Sequence, residues 1–468
     1  MDSCRGHGLS WVSAVALAGL LVFSSALARA AEKEGEKKLP EDDYELYQIF
    51  ADTLDQVERN YVKDVSRREL MEAAIHGVLS KLDPYSNYIS PDDINRFKTS
   101  VESQFGGIGI RIDHQGDQLR IISPLVGTPA YRAGLESGDT ILEINGKSTE
   151  GIGPDEAIKR LKGDAGTQVT LTIQHADARP KETVTITREW VHVETIQGDH
   201  RKPDDSWDFF LDHDKHLGYI RLSAFSRDTA LELKKALVDL QGQGLKGLVV
   251  DLRFNPGGLL TSAIEVSDMF VASGRIVSTK GRNTPERVWE AEKEGTFEGF
   301  PMAVLVNHYS ASASEILSAC LQDNHRAIVV GERTWGKGSV QNVIELEGGK
   351  SALKLTTASY HRPNGKNIHR FPDAKESDEW GVMPDEGYSV KLTPTETERL
   401  IRERRDRDIL VSKHGKARVD GYPAKPPEPG DAKPPEAAAK DSPAKEPFVD
   451  PQLQKAVDYL TQQLARAQ

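Results

Sequence analysis

The sequence predicts a multidomain chain of mixed class, α/β and α+β. Three observations carry this: a helical period near the start, a glycine-broken run of β-rich segments after it, and a regular alternation of strand and helix patterns beyond. Between residues 41 and 96, Tyr47, Phe50, Leu54, Val57 and Tyr61 recur at steps of three and four, the spacing of one helix face, until Pro84 and Pro91 end the pattern. From about Gly106 to Thr187 the short runs IGIRI, LRIIS, TILEI and VTLTI are separated by turn residues, with Asn145-Gly146 marking a hairpin and residues 155–161 reading as one short helix. Beyond Asp214, LGYIRL leads to Leu233, Ala236, Leu237 and Leu240 at helical spacing. GLVVDLRF, PMAVLVN, a small-residue helix from about Ser314, and AIVVGE follow. Unbroken apolar strands alternating with helices imply crossovers and a largely parallel sheet covered on both faces.

These textures divide the 468 residues into a leader (1–30), a helical segment (31–102), a β-rich module (103–190), an α/β layer (191–392), a charged, Pro- and Ala-rich linker (393–449) and a C-terminal helix (450–468). In that last helix Leu453, Ala456, Val457, Leu460 and Leu464 form an apolar stripe that needs a covering surface. A second copy of the chain is the simplest one, for this stripe and for that of the first helix.

The N-terminus reads as an address. Arg5 precedes an apolar, small-residue run over residues 11–28, and Ala28-Arg29-Ala30 has the small-x-small pattern of a secretory cleavage site. The reading is an exported protein of the periplasm or cell envelope, beginning near Ala31. An uncleaved leader would instead hold it at the membrane. Cys4 leaves with the leader, so Cys320 stands alone and no intramolecular disulfide is expected. A net charge of -12, without a basic stripe, argues against a nucleic-acid surface.

Three motifs carry chemistry. In PMAVLVNHYSASASEILSAC a strand runs through small residues into a helix, which places Ser310, Ser312 and Ser314 at an elbow where free backbone N–H groups point outward. Ser312-Ala-Ser-Glu315 also fits a capping box, so the serine has a purely structural reading as well. VVDLRFNPGGLL ends a strand in Asn255-Pro256-Gly257-Gly258, whose backbone donors, with that of Ala313, would form an oxyanion hole. VGERTWGKGSVQ opens like a phosphate-binding loop, but Gly338 stands where that loop needs Ser or Thr. Lys337 is better read as a general base. Its pKa would have to fall from about 10.4 to 7 or 8, a shift of about 4 kcal/mol that apolar burial can supply. Gln341, four residues on, would share a face with Lys337 on an extended strand and orient the amine. His308 and His325 are the histidine alternatives, with no aspartate evident to orient either.

In order and spacing, the β-rich module, DLRFNPGGLL, VLVNHYSASASEILSACLQDN and VGERTWGKGSVQ resemble the carboxyl-terminal processing proteases, also called tail-specific proteases. The resemblance runs from about Tyr44 to Pro384. It implies a serine endopeptidase with a ClpP/crotonase-like α/β core and an inserted PDZ domain, using no metal, nucleotide or other cofactor. Its nucleophile falls on Ser312, its base on Lys337, and its lysine-orienting glutamine on Gln341. Its oxyanion donors fall on Ala313 and on Gly257 or Gly258. Its carboxylate-binding loop falls on Gly107, Ile108, Gly109 and Ile110, with the two isoleucines lining a socket. Partners implied are proteins or peptides with free C-termini; a homodimer and an adaptor stay open. His308, Tyr309 and Phe254 depart from the common pattern, and residues 367–382 are longer than expected. The competing reading is a non-catalytic PDZ scaffold of the cell envelope, against which the joint presence of Ser312, Lys337 and Gln341 argues.

Overall fold

The computed structural model describes residues 41–94, 97, 104–176, 179–410 and 448–467. The leader, and the linker residues from 411 to 447, lie outside this set. The chain divides between Val78 and Leu79 into two units. The first holds α1 (Glu41–Asn60) and most of α2 (Arg67–Leu79), joined by an ion pair between Arg67 and Glu58. Along α1 the predicted stripe is open: Tyr47 and Phe50 are exposed, and Leu54 and Val57 half-buried.

The second unit begins with a short strand, β1 (Asn87–Ile89), and then builds the β-rich module. Its strands are β2 (Gln104–Gly107), β3 (Ile110–Gln115), β4 (Gln118–Pro124), β5 (Thr140–Ile144), β6 (Lys147–Ser148), β7 (Gln168–Gln174), β8 (Glu182–Thr187) and β9 (Glu189–His192). Helices α3 (Pro129–Arg132) and α4 (Pro154–Leu161) lie among them. The sheet runs β3-β4-β5-β7-β8, antiparallel throughout, with β6 beside β5 and β2 paired to β9. Asn145 and Gly146 take positive φ of 52° and 71° at the β5–β6 hairpin, as an Asn-Gly turn does. Alternate residues of the strands close a small core of Leu119, Ile121, Ile141, Leu171 and Ile173.

The α/β layer follows: β10 (Ile196–Gln197), β11 (Phe210–Asp212), β12 (Leu217–Leu222), α5 (Thr229–Gly242), β13 (Gly247–Asp251), α6 (Leu260–Asp268), β14 (Arg275–Lys280), β15 (Arg287–Glu290), β16 (Met302–Val306), α7 (Ala313–Asp323), β17 (Ile328–Gly331), β18 (Ser339–Leu346) and β19 (Ser351–His361). Strands β12, β13, β16 and β17 are parallel neighbours in the order β10-β12-β13-β16-β17, with β11 also on β12. All five residues of β13 and of β16 are buried, which explains their apolar sequence, broken only by Asp251 at the end of β13. A second, antiparallel sheet has the order β1-β19-β14-β15, with β18 on β19.

Two expectations are corrected. Residues 394–408, read as part of the linker, form α8 (Pro394–Asp408): Pro394 occupies its first turn, Thr393 and Glu396 make a reciprocal capping box, and Leu400 is buried. The stripe of α9 (Pro451–Ala467) does not await a second copy. Leu453, Ala456, Val457 and Leu460 pack against Leu217, Tyr219, Val249, Ala303 and Leu305 on the parallel sheet of the same chain. Composition alone did not reveal this, because the sheet face it covers lies about 200 residues earlier.

Candidate active site

Strand β16 ends at Val306, and the turn that begins at Asn307 is fastened to the end of β13. Ser310 Oγ donates to the Leu252 carbonyl at 2.9 Å and accepts the Asn307 N–H at 3.0 Å, while Asn307 Oδ1 accepts the Phe254 N–H at 3.0 Å. Ala311 N–H and Ser314 Oγ both donate to the Asn255 carbonyl, each at 3.0 Å. Ser310 and Ser314 are therefore structural ties. Ser312, between them, takes φ 56° and ψ -113°. A non-glycine residue in such a conformation costs on the order of 1–3 kcal/mol and persists only where its surroundings impose it.

What imposes it is Glu315, a residue the sequence presented only as a helix cap. Its fully buried carboxylate accepts the Ser312 N–H at 2.8 Å and, from the loop after β17, the Lys337 N–H at 2.8 Å, the Gly336 N–H at 2.6 Å and the Thr334 hydroxyl at 2.6 Å. One side chain thus sets the backbones of Ser312 and Lys337 relative to each other. Burial raises its pKa to about 6 even though all four donors favour the charged form. The S-x-x-E spacing was the available signal; the second set of donors, 19 to 22 residues on, was not foreseeable from it.

The Asn255-Pro256-Gly257-Gly258 turn lies against the same elbow. A Cβ on Gly257 would stand 2.8 Å from Ser312 Cβ and 2.9 Å from the Ala313 nitrogen, so only glycine fits beside the serine. The Gly257 N–H, however, is taken by Asn255 Oδ1 at 2.8 Å. The Gly257 carbonyl accepts Phe225 N–H and the Phe225 carbonyl accepts Leu259 N–H. Neither bond uses the Gly258 N–H.

The Lys337 side chain is partly buried, and burial lowers its pKa, helped by the charge of Lys354 and opposed by that of Glu315. Its Nζ lies 5.2 Å from the centre of the Tyr85 ring. Among the described hydrogen bonds none joins it to Ser312 Oγ or to Gln341. A Lys337–Gln341 hydrogen bond is not among the described ones: strand β18 starts only at Ser339, its register shifts between Val340 and Gln341, and the Gln341 amide donates to Ser339 Oγ at 2.8 Å and Thr356 Oγ1 at 3.3 Å. Tyr85 is held by its own N–H on Asp83 at 2.7 Å, and Asp83 also accepts from Ser86 and Thr356. His308 is half exposed and faces Glu332 at 3.3 Å, His325 is exposed, and among the described hydrogen bonds neither joins Ser312. Cys320 is buried behind the elbow, its thiol pushed up to about 12 by burial. Among the described residues no group of three or more His, Cys, Asp or Glu converges as a metal site, and no helix is long and apolar enough to cross a membrane.

In the β-rich module Gly109 has φ 78°, its carbonyl accepts Leu125 N–H and Thr128 Oγ1, and a Cβ there would fall 2.4 Å from Thr128. The Ile108 carbonyl accepts Ala130 N–H at 2.8 Å. Ile108 is 2 % exposed and belongs to the module's core, so its side chain is corrected from socket lining to core packing, with Ile110 half-buried against that core.

Comparison with known proteins agrees with this architecture. Residues 216–386 match peptidase family S41, residues 98–174 match the PDZ domain, and residues 13–92 match the N-terminal domain of the activating protease CtpB. The chain is 34 % identical over 407 residues to a carboxy-terminal-processing protease of Bartonella bacilliformis, covering 84 % of this chain and 87 % of that one. It is 32 % identical over 365 residues to the carboxy-terminal processing protease CtpA of Bacillus subtilis, covering 77 % and 73 %. A solved photosystem II D1 C-terminal processing protease is 27 % identical, with 75 % of this chain and 94 % of that one covered and a TM-score of 0.41. The chain belongs to the carboxy-terminal-processing proteases of peptidase family S41, with a PDZ domain in front of its protease core.

Proposed function

We propose that this protease is exported, captures proteins by their free C-termini at the 107–110 loop of its PDZ domain, and cleaves them with Ser312 as nucleophile and Lys337 as general base. The observation that carries the reading is the single carboxylate of Glu315, which fixes a strained Ser312 and the Lys337 backbone together at a strand end. In the reaction, neutral Lys337 takes the Ser312 proton as Oγ attacks the scissile carbonyl. The resulting oxyanion is held by the N–H groups of Ala313 and Gly258, with Gly257 giving the clearance beside the serine. The Lys337 ammonium then returns the proton to the leaving amine, and water, deprotonated by the now neutral Lys337, hydrolyses the acyl ester, the lysine finally giving that proton back to Ser312 Oγ.

For the first step Nζ has to leave the Tyr85 ring and reach Ser312, and Gln341 is assigned the task of holding it there. Export rests on the apolar run and the Ala28-Arg29-Ala30 pattern. The test is a peptide ending in apolar residues with a free carboxylate, compared with its C-terminally amidated twin. Faster cleavage of the acid is expected, and Ser312→Ala and Lys337→Ala should each abolish it. Equal rates for acid and amide would remove terminus-directed capture. Binding of the acid with no cleavage by the wild-type chain would favour the scaffold reading.

A further inference from the structure

Residues 367–382, longer than the pattern around them requires, run alongside the lysine loop. The Arg370 N–H donates to the Gly336 carbonyl at 2.8 Å, and the Thr334 N–H donates to the Val382 carbonyl at 3.1 Å while Thr334 Oγ1 accepts the Val382 N–H at 2.8 Å. The Gly381 N–H closes the segment on itself by donating to the Ile368 carbonyl at 2.8 Å. Contact is close enough to dictate the loop's sequence. A Cβ on Gly336 would lie 2.7 Å from Arg370 Cβ and 2.9 Å from the Trp380 ring, and one on Gly338 would lie 2.2 Å from the His369 nitrogen. Both glycines that flank Lys337 are thus required by this segment.

The segment is itself stiffened around one aromatic ring. Trp380 is buried, its Nε1–H donates to the Lys375 carbonyl at 3.0 Å, and the guanidinium groups of Arg333 and Arg370 lie 3.4 and 4.5 Å from its ring centre. Arg333, three residues before Gly336, also donates to the carbonyls of Glu376 at 2.8 Å and Trp380 at 2.9 Å, and to that of Asp378. A planar cation over an aromatic face, with its remaining N–H groups spent on three carbonyls, is a firm joint. It links the stem of the lysine loop to the middle of the segment.

We infer that residues 367–382 are a clamp on the Gly336-Lys337-Gly338 loop, and that Trp380, stacked with Arg333 and Arg370, is a positioning residue for the catalytic lysine. The inference rests on Lys337 being the general base. The clamp covers the loop beside Glu315: a Cβ on Gly381 would lie 2.8 Å from Thr334 Oγ1 and 3.4 Å from Glu315 Oε1. Charged and titratable groups acting on the lysine are Glu315 from α7, Lys354 from β19 and Tyr85 from the segment before β1, while His369 and Arg370 of the clamp approach Gly338 and Gly336. A Trp380 substitution removes none of them.

The experiment is the pH dependence of kcat for wild type, Trp380→Leu, Trp380→Phe and Arg370→Gln on one peptide, with Lys337→Ala as reference and thermal unfolding to confirm that each chain is folded. A loosened loop admits water, so Lys337 regains affinity for its proton. In Trp380→Leu kcat should fall about 10- to 100-fold and its acid limb should move to higher pH, with KM little changed. Trp380→Phe, which keeps a ring face, should restore most of both. Arg370 is about half exposed, so Arg370→Gln tests the joint without opening the core and should shift the limb the same way. An unmoved acid limb in Trp380→Leu and in Arg370→Gln, whatever the loss of rate, would overturn the clamp. So would a rise in KM alone. Retention of activity by Lys337→Ala would instead overturn the assignment of the base on which the clamp rests.

Discussion

At Ser312 and Lys337 the protein holds two groups in states that folding alone would not choose. Lys337 is the clearer case. Its pKa in the folded chain is lowered mainly by burial, so the neutral form is favoured and charging it costs stability. That stability is fully present only above the unfolded lysine value and is lost as pH falls through the folded one. Lys337→Met should therefore raise the melting temperature at pH 7 while abolishing peptide cleavage, a comparison made by calorimetry and one activity assay. Lys337→Arg should be equally inactive, because a guanidinium does not give up its proton. Glu315 has the opposite sign of shift. Its pKa is raised to about 6, so its contribution to stability is greatest below the unfolded carboxyl value and is lost as pH rises through 6. Glu315→Ala leaves three backbone N–H groups and the Thr334 hydroxyl without their acceptor, and should destabilise the fold by about 3 kcal/mol or more, read by denaturant unfolding. The serine and the lysine were both legible in the sequence as residue types in the right motifs. Glu315 was legible only as a cap, because its other donors come from a different motif, and nothing local announces a carboxylate shared between two loops.

Elements place these residues where they are, and the sequence predicted most of them from period alone. Strands β12, β13, β16 and β17 and helices α5 and α7 stand where unbroken apolar runs and three-four spacing put them. The antiparallel sheet built on β14, β18 and β19 was missed beyond the extended GSVQ. Its strands carry Lys, Thr, Ser and Asn, and β18 and β19 are mostly half-buried or exposed, so they lack the apolar run that marked the parallel strands. That omission also hid the register shift that turns Gln341 toward Thr356. In the PDZ domain, the 107–110 loop depends on Gly109, whose positive φ and 2.4 Å clearance to Thr128 admit no side chain. Gly109→Val should reduce the advantage of a free-carboxylate peptide over its amide, while cleavage of the amide by Ser312 and Lys337 continues. The measurement is the ratio of the two rates, and an unchanged ratio would move carboxylate capture away from this loop.

Across the molecule, the last helix is tied to the strand that leads into the proposed oxyanion turn. Arg253, buried at the end of β13, pairs with Asp251 at 2.7 Å and with Asp450 at 2.8 Å, and donates to Gln452 Oε1 at 2.9 Å. Arg404 from α8 pairs with Asp251 as well. Removing one member strands a buried charge, which typically costs about 3–5 kcal/mol. Asp450→Ala should lower stability by that order, and a chain ending before residue 448 should unfold or aggregate as the apolar sheet face under α9 opens, rather than change from dimer to monomer. Light scattering with thermal unfolding separates these outcomes. The open stripe of α1 remains the proposed surface for a second copy. No sequence pattern could join Arg253 to Asp450, because periodicity reports on neighbours along the chain and this pair closes a loop of 197 residues. The central claim, that Lys337 activates Ser312, is tested most directly by labelling the enzyme with a serine-reactive fluorophosphonate across pH and locating the adduct by mass spectrometry. One adduct is expected, on Ser312, forming faster as pH rises and absent in Lys337→Ala. An adduct on another residue, or one on Ser312 that forms equally fast without Lys337, would contradict the claim.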